Sequence, residues 1–193
     1  MPSAVKVCAQ SLGLRTYTPE RIKTDIDCQN QLANLKADVS VVVAFGQILP
    51  KSVLEQPPLG CWNGHGSLLP RWRGAGPIQW ALLEGDAETG VGIMAMEEGL
   101  DTGPVLLEQR LPISLRQNSD ALASQLSELT ATLMLEAMHL IQKAGVGTES
   151  ERLARLNVKY QGQDMSYARM LKKEDFQINW NDSALCTHRK VMG

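Results

Sequence analysis

An α/β domain with a mostly parallel sheet is what this sequence predicts, and three observations predict it. Val39 to Phe45 is an almost unbroken apolar, β-branched run closed by Gly46, the pattern of a strand covered on both faces. Short runs of this kind alternate with stretches of helical periodicity. The longest such stretch, Ser119 to Lys143, places Leu122, Leu126, Leu129, Leu133, Ala137 and Leu140 every three or four residues, an amphipathic helix packed on the sheet. Ligands of such sheets sit outside the carboxyl ends of the strands, which points to the loops Asn63 to Gly76 and Glu97 to Gly103.

The elements follow in order. Ser3 to Leu12 is expected to be helical, with Ala4, Val5, Val7, Cys8 and Leu12 roughly on one face and Gly13 at its end. Thr16-Tyr17-Thr18 before Pro19 is a short extended piece. A second helix is expected from about Thr24 to Lys36, with Ile26, Leu32 and Leu35 facing inward. After the Val39 run, Lys51 to Gln56 makes a turn or two of helix ahead of Pro57-Pro58. Leu59 to Trp62 is the next strand, and Asn63 stands near its C-terminal end. Pro77 to Glu84 is a helix with proline in its first turn, broken by Gly85-Asp86. Val91 to Met96 and Pro104 to Gln109 are two further strands, joined by a loop that carries Gly99-Leu100-Asp101-Thr102-Gly103. Ser119 can cap the long helix. Beyond Gly145-Val146-Gly147 the composition turns polar.

The totals exclude several classes. At 193 residues the chain can bury one real core but not two large ones. A net charge of −2 gives no global basic field, so any nucleic-acid contact needs a local patch. Cys8, Cys28, Cys61 and Cys186 are scattered without a CxxC pair, which fits buried thiols in a reducing compartment better than disulfides or zinc. His65, His139 and His188 are far apart and lack paired ligands, so no metal is expected. No apolar run reaches membrane-spanning length and no signal-peptide layout is present. The expectation is a soluble cytoplasmic protein without a membrane partner.

Chemistry concentrates in Gly60 to Pro77. Asn63 and His65 are two apart, so an extended backbone points both side chains to one side. The Asn63 amide can donate to a developing oxyanion, and an imidazole can exchange a proton near neutral pH. Asp101, flanked by glycines, can reach back to orient or charge-stabilise the imidazole. Taken singly, each has an ordinary role: a satisfied histidine, a turn asparagine, an Asp capping a turn with Thr102 and Gly103. No serine or cysteine occupies a nucleophile elbow, and no phosphate-gripping glycine motif is present. Ser67-Leu68-Leu69-Pro70 either forms an apolar wall suited to a flat heteroaromatic ring or is a loop whose leucines plug the core. Arg71 and Arg73 flank Trp72 in a small cationic and aromatic patch able to meet phosphate or a nucleic-acid end.

These residues carry a resemblance. Asn63-x-His65, then Gly66-Ser67-Leu68-Leu69-Pro70-Arg71-Trp72-Arg73-Gly74-Ala75, with Gly99-Leu100-Asp101-Thr102-Gly103 downstream, resembles the 10-formyltetrahydrofolate-dependent formyltransferases. The branch acting on methionyl-tRNA is the most similar, in wording like that of cyanobacterial members. The resemblance implies a Rossmann-like catalytic domain that moves a formyl group from folate N10 to the amine of initiator methionyl-tRNA, without a metal. By that resemblance Asn63, His65 and Asp101 are the catalytic trio. Ser67, Leu68, Leu69 and Pro70 correspond to the folate-binding loop, and Arg71 and Arg73 are candidate tRNA contacts. Residues 1–150 would be the catalytic domain, and 151–193 its end and the start of a linker. Full-length members begin with a further strand, helix and basic loop and continue into a C-terminal β-barrel. The expectation is therefore a monomer shortened at both ends, lacking the first strand and the barrel, poorly stable and weakly active on tRNA. Formyl transfer to a sugar amine or to glycinamide ribonucleotide, folate hydrolysis and an inactive fragment are the alternatives.

Overall fold

Of the apolar run Val39 to Phe45, only Ser40–Val42 pairs as a strand, β1, in the computed structural model, which describes residues 2–193. β1 runs parallel to β2, Cys61–His65, with Ser40 beside Cys61 and Val42 beside Asn63. β2 is antiparallel to β3, Glu88–Ala95, and β3 is antiparallel to β4, Val105–Pro112. The sheet order is β1-β2-β3-β4. The α/β class is as expected, but the sheet is mixed rather than mostly parallel. One reason lies in the β3–β4 connection: residues 96–104 are too few for the crossover that a parallel pair requires. Nor is β1 covered on both faces, since Val41 at its centre is 48% exposed.

The helices are α1 Ala4–Ser11, α2 Ile26–Asn34, α3 Lys51–Leu54, α4 Pro77–Glu84, α5 Ser119–Ala144, α6 Glu149–Leu156 and α7 Ala184–Met192. α4 has its expected bounds, with proline in the first turn and Gly85 in the left-handed conformation at its end. α5 is the long helix. Leu122, Leu126 and Leu133 lie on Trp62, Val91, Ile93 and Ala95, and the main core forms there with Ala137 and Ile141. Leu140, expected on the inner face, is exposed, and Ile141 takes its place. Its cap is Asn118, one residue before the expected Ser119, and the Asn118 Oδ1 accepts from the Ala121 N–H at 2.9 Å. Gly64 of β2 lets α5 approach closely, because a Cβ there would lie 2.5 Å from Thr130 Cγ2. α1 has no buried residue, so its apolar face has no covering here. α2 buries Cys28 and Gln29 rather than Ile26 and Leu35. Gln29 satisfies itself there by donating to the Ile22 carbonyl at 2.7 Å and accepting from Ser52 at 2.8 Å.

The polar region after Gly147 is more ordered than its composition foretells. α6 begins with a reciprocal cap between Thr148 and Glu151, and α7 packs against α4. Between them the chain returns to the sheet. Lys159 and Val105 exchange backbone hydrogen bonds at 2.8 Å each. Further on, Arg73 N–H donates to the Ser166 carbonyl at 2.9 Å, and Ala168 N–H to the Arg73 carbonyl at 2.7 Å. Residues 159–169 thus lie across both loops that sequence reasoning singled out.

Candidate active site

Asn63 and His65 lie within β2, not after it, and the pleat puts both on the face opposite α5. Trp62 and Gly64 take the other face, against the core. His65 is only 6% exposed. Its Nε2 is 2.8 Å from the carbonyl oxygen of Trp72, a residue in the left-handed conformation at φ 62°. A carbonyl only accepts, so Nε2 carries a proton. The opposite nitrogen, Nδ1, faces Asp101 Oδ2 at 3.7 Å.

Asp101 ties the site together. Its Oδ2 accepts the Gly74 N–H at 2.8 Å, and its Oδ1 lies 3.5 Å from the Asn63 amide nitrogen. The last is at the long limit of a hydrogen bond, so the Asn63 amide is loosely held. Asp101 has φ 52°, and Gly103 behind it has no room for a side chain, since a Cβ would fall 1.8 Å from the Ala95 carbonyl oxygen. The three predicted residues therefore converge, with the carboxylate between amide and imidazole. Nε2 of His65 is hydrogen-bonded to the Trp72 carbonyl, whereas Nδ1 stands 3.7 Å from Asp101 Oδ2, beyond hydrogen-bond length. The cluster can donate an amide N–H to developing negative charge and sets a carboxylate beside the ring. For His65 to address a substrate directly, one of its two contacts must break.

The Ser67 to Pro70 segment divides. Ser67 is fully buried and its hydroxyl donates to the Arg71 carbonyl at 2.6 Å. Leu69 is buried with Met94 and Val105, the core-plugging alternative. Leu68 and Pro70 are half-buried.

The arginine pair divides too. Arg73, a candidate tRNA contact from sequence, is only 6% exposed, and its guanidinium donates to Gln161 Oε1 at 3.0 and 2.7 Å. It is a structural residue, with no charge turned to solvent. Arg71 is half-exposed and grips Asp86 with two hydrogen bonds, 2.8 and 2.6 Å, while its guanidinium lies 4.3 Å over the Trp72 ring. The Trp72 indole also donates to Asp86 at 2.7 Å. Burial pushes the Asp86 carboxyl up, but the Arg71 and Trp72 hydrogen bonds outweigh it and hold the group below the usual carboxylate range. Asp86, Gln161 and Ser166 were not singled out from sequence. They lie 14 to 94 residues from the groups they hold in this site, and no local pattern marks them.

A cleft of about 440 Å³ opens elsewhere, lined by Lys51, Cys61, Met96, Glu97 and Arg152 among others, and none of Asn63, His65 or Asp101 lines it. Among the described residues no cluster of His, Cys, Asp and Glu is arranged to hold a metal ion, and no helix is long and apolar enough to cross a membrane.

The α/β sheet thus brings an amide and an imidazole of β2 together with a carboxylate of the β3–β4 loop. Residues 3–138 match the family model described as formyl transferase, and the chain belongs to that family. Over 193 residues it is 84% identical to a methionyl-tRNA formyltransferase of Synechococcus sp. (strain CC9902) and 70% identical to one of Synechococcus sp. (strain WH7803). Each match covers 100% of this chain and 57% of the relative, so the chain spans a little over half the length of these curated relatives. Its fold is shared with HypX from Aquifex aeolicus in complex with tetrahydrofolic acid, at TM-score 0.70 and 18% identity, over 86% of this chain and 27% of that one. A 4-N formyltransferase from Francisella tularensis also shares it, at TM-score 0.70 and 17% identity, over 90% and 66%.

Proposed function

We propose that this chain carries the catalytic part of an enzyme that moves a formyl group from 10-formyltetrahydrofolate to the amino group of initiator methionyl-tRNA. The observation that carries the reading is the convergence of Asn63, His65 and Asp101 in a formyl transferase chain 84% identical to a protein named for that reaction. The folate supplies the formyl group. Asn63 donates its amide N–H to the oxyanion that forms when the amine adds to the formyl carbon; collapse of that adduct breaks the bond from the formyl carbon to folate N10, and N10 leaves with a proton as tetrahydrofolate. His65 contributes positive charge beside it, and Asp101 holds the imidazole and takes the proton that the amine must lose, through water. A donor aimed where charge develops stabilises the transition state more than the ground state.

Ser67 to Pro70 serves as the folate-side loop, with Leu68 and Pro70 offering apolar surface and Leu69 anchoring the turn from below. Arg71 remains the candidate for a tRNA phosphate, provided it keeps one fork on Asp86. Residues 1–150 and the segment after them work as one catalytic unit, because 159–169 holds both site loops. The reaction belongs to translation initiation, with the protein acting as a monomer in the cytoplasm.

The test is direct. The chain is incubated with 10-formyltetrahydrofolate and, in parallel, methionyl-tRNA, a sugar amine and glycinamide ribonucleotide, and the formylated product is quantified. Formyl-methionyl-tRNA as the main product supports the proposal. Preference for another amine, or release of formate without an acceptor, overturns it.

A further inference from the structure

We infer that Gln161 is a positioning residue of the site: it holds Asp101 in place by clamping the backbone of its loop from a segment outside the region that matches the family. The inference rests on the reading of Asp101 as a functional carboxylate.

The geometry leaves no ambiguity about the orientation of the amide. Gln161 Nε2 lies 2.8 Å from the Asp101 carbonyl oxygen and 2.7 Å from that of Gly103. Its Oε1 lies 3.0 and 2.7 Å from two guanidinium nitrogens of Arg73. Carbonyls only accept and a guanidinium only donates, so a flipped amide would face like with like at four contacts. Every hydrogen-bonding site of the Gln161 side chain is thus used, and each joins the Asp101 loop to the Arg73 loop.

The position clamped is the one that most needs a clamp. Asp101 is held in the left-handed region at φ 52°, where an L-residue is disfavoured. Such a conformation persists only when its surroundings over-determine it. The carboxylate hangs on that same backbone, so a shift of the Asp101 carbonyl moves Oδ1 and Oδ2 away from Asn63, His65 and Gly74. Arg73 in turn is buried without a carboxylate within salt-bridge reach among the described residues, and Gln161 supplies its closest acceptor. The segment around Gln161 is itself fixed at both ends, by the Lys159–Val105 pair and by the Ala168–Arg73 hydrogen bond.

Gln161→Glu separates positioning from packing. It keeps the volume and the acceptor for Arg73, but sets a carboxylate oxygen against two carbonyl oxygens. Gln161→Ala removes both halves of the clamp. The Gly74 amide, bonded to Asp101 Oδ2 at 2.8 Å, reports the carboxylate position in amide proton–nitrogen NMR spectra without any turnover. Gln161→Glu is expected to move the Gly74 resonance in the direction that Asp101→Asn moves it and to speed its solvent exchange about tenfold. In formyl-transfer assays kcat should fall about 10- to 100-fold, with KM for the folate unchanged. The inference is overturned if both variants fold and leave the Gly74 amide and kcat at wild-type values. It is equally overturned if both lose the whole fold, since Gln161 would then be a packing residue. A wild-type chain that formylates no amine ends the functional reading, and the Gly74 signal still decides whether Gln161 places the carboxylate.

Discussion

His65 and Asp101 face each other across 3.7 Å, Nδ1 to Oδ2, although one ends β2, the other lies in the β3–β4 loop, and 36 positions separate them in the chain. The ring is held on its far side by the Trp72 carbonyl at 2.8 Å, so the carboxylate meets an imidazole with almost no rotational freedom. A rigid imidazole beside a loosely held Asn63 amide is a site in which the amide can adjust to a substrate while the ring stays fixed.

Asn63→Ala is expected to lower kcat for formyl transfer about 10²- to 10³-fold, the effect of removing one donor to a developing oxyanion. His65→Ala should be at least as damaging. Both should change the melting midpoint little at Asn63 and more at His65, where the Trp72 carbonyl is left without its partner. Steady-state kinetics alongside thermal melts checks this. Full activity in either variant would remove that residue from the mechanism.

The Arg71–Asp86–Trp72 cluster makes stability depend on pH. The Asp86 carboxyl titrates below its usual range in the folded protein, whereas in the unfolded chain it returns to about 3.9. The unfolded state therefore binds a proton first as pH falls. The stabilisation is present above about pH 4 and is lost as pH drops through the folded value. Asp86→Asn should melt below wild type at pH 7, and the gap should close towards pH 3. About 1 kcal/mol is expected at neutral pH, because Arg71 is half-exposed and solvent screens the pair.

Two substitutions test the packing that supports the site. Gly64→Ala drives a methyl into Thr130 on α5, with a Cβ contact of 2.5 Å, and should cost about 1–3 kcal/mol. Leu69→Ala leaves a hole among Met94 and Val105 under the Ser67 to Pro70 turn and should cost about 2–5 kcal/mol. Urea denaturation midpoints measure both. A neutral Gly64→Ala would show that α5 and β2 can part to admit a methyl group.

The four thiols should divide evenly. Cys8 and Cys186 are exposed and Cys28 and Cys61 are buried, which departs from the expectation that all four are buried. Burial pushes the Cys61 thiol up, against smaller opposing effects of Ser40 and Arg152, and burial followed by Asp25 does the same at Cys28. An aromatic disulfide reagent is expected to label Cys8 and Cys186 quickly and the other two only on unfolding, as mass spectrometry of the labelled peptides would reveal.

Local pattern was enough for the α/β class, for α4 with its proline and glycine bounds, and for α5 with its three- and four-residue spacing, because those signals lie within a single turn or strand. The same holds for Asn63 and His65 sharing a face, since strand geometry alone places residues two apart on one side. Pairing direction was another matter: antiparallel β3 and β4 replace the mostly parallel sheet, because apolar runs record burial and not the direction of the neighbour. So was the fate of the arginines, where Arg73 went inside and Arg71 stayed half out. Those outcomes depend on Gln161 and Asp86, which lie 88 and 15 residues from the groups they hold. What the chain's own order determined, then, is which chemistry stands on β2. Only the tertiary structure decided that Asp101 reaches it and that a segment 60 residues further on holds Asp101 there, since contacts made across such separations leave no periodic trace along the chain.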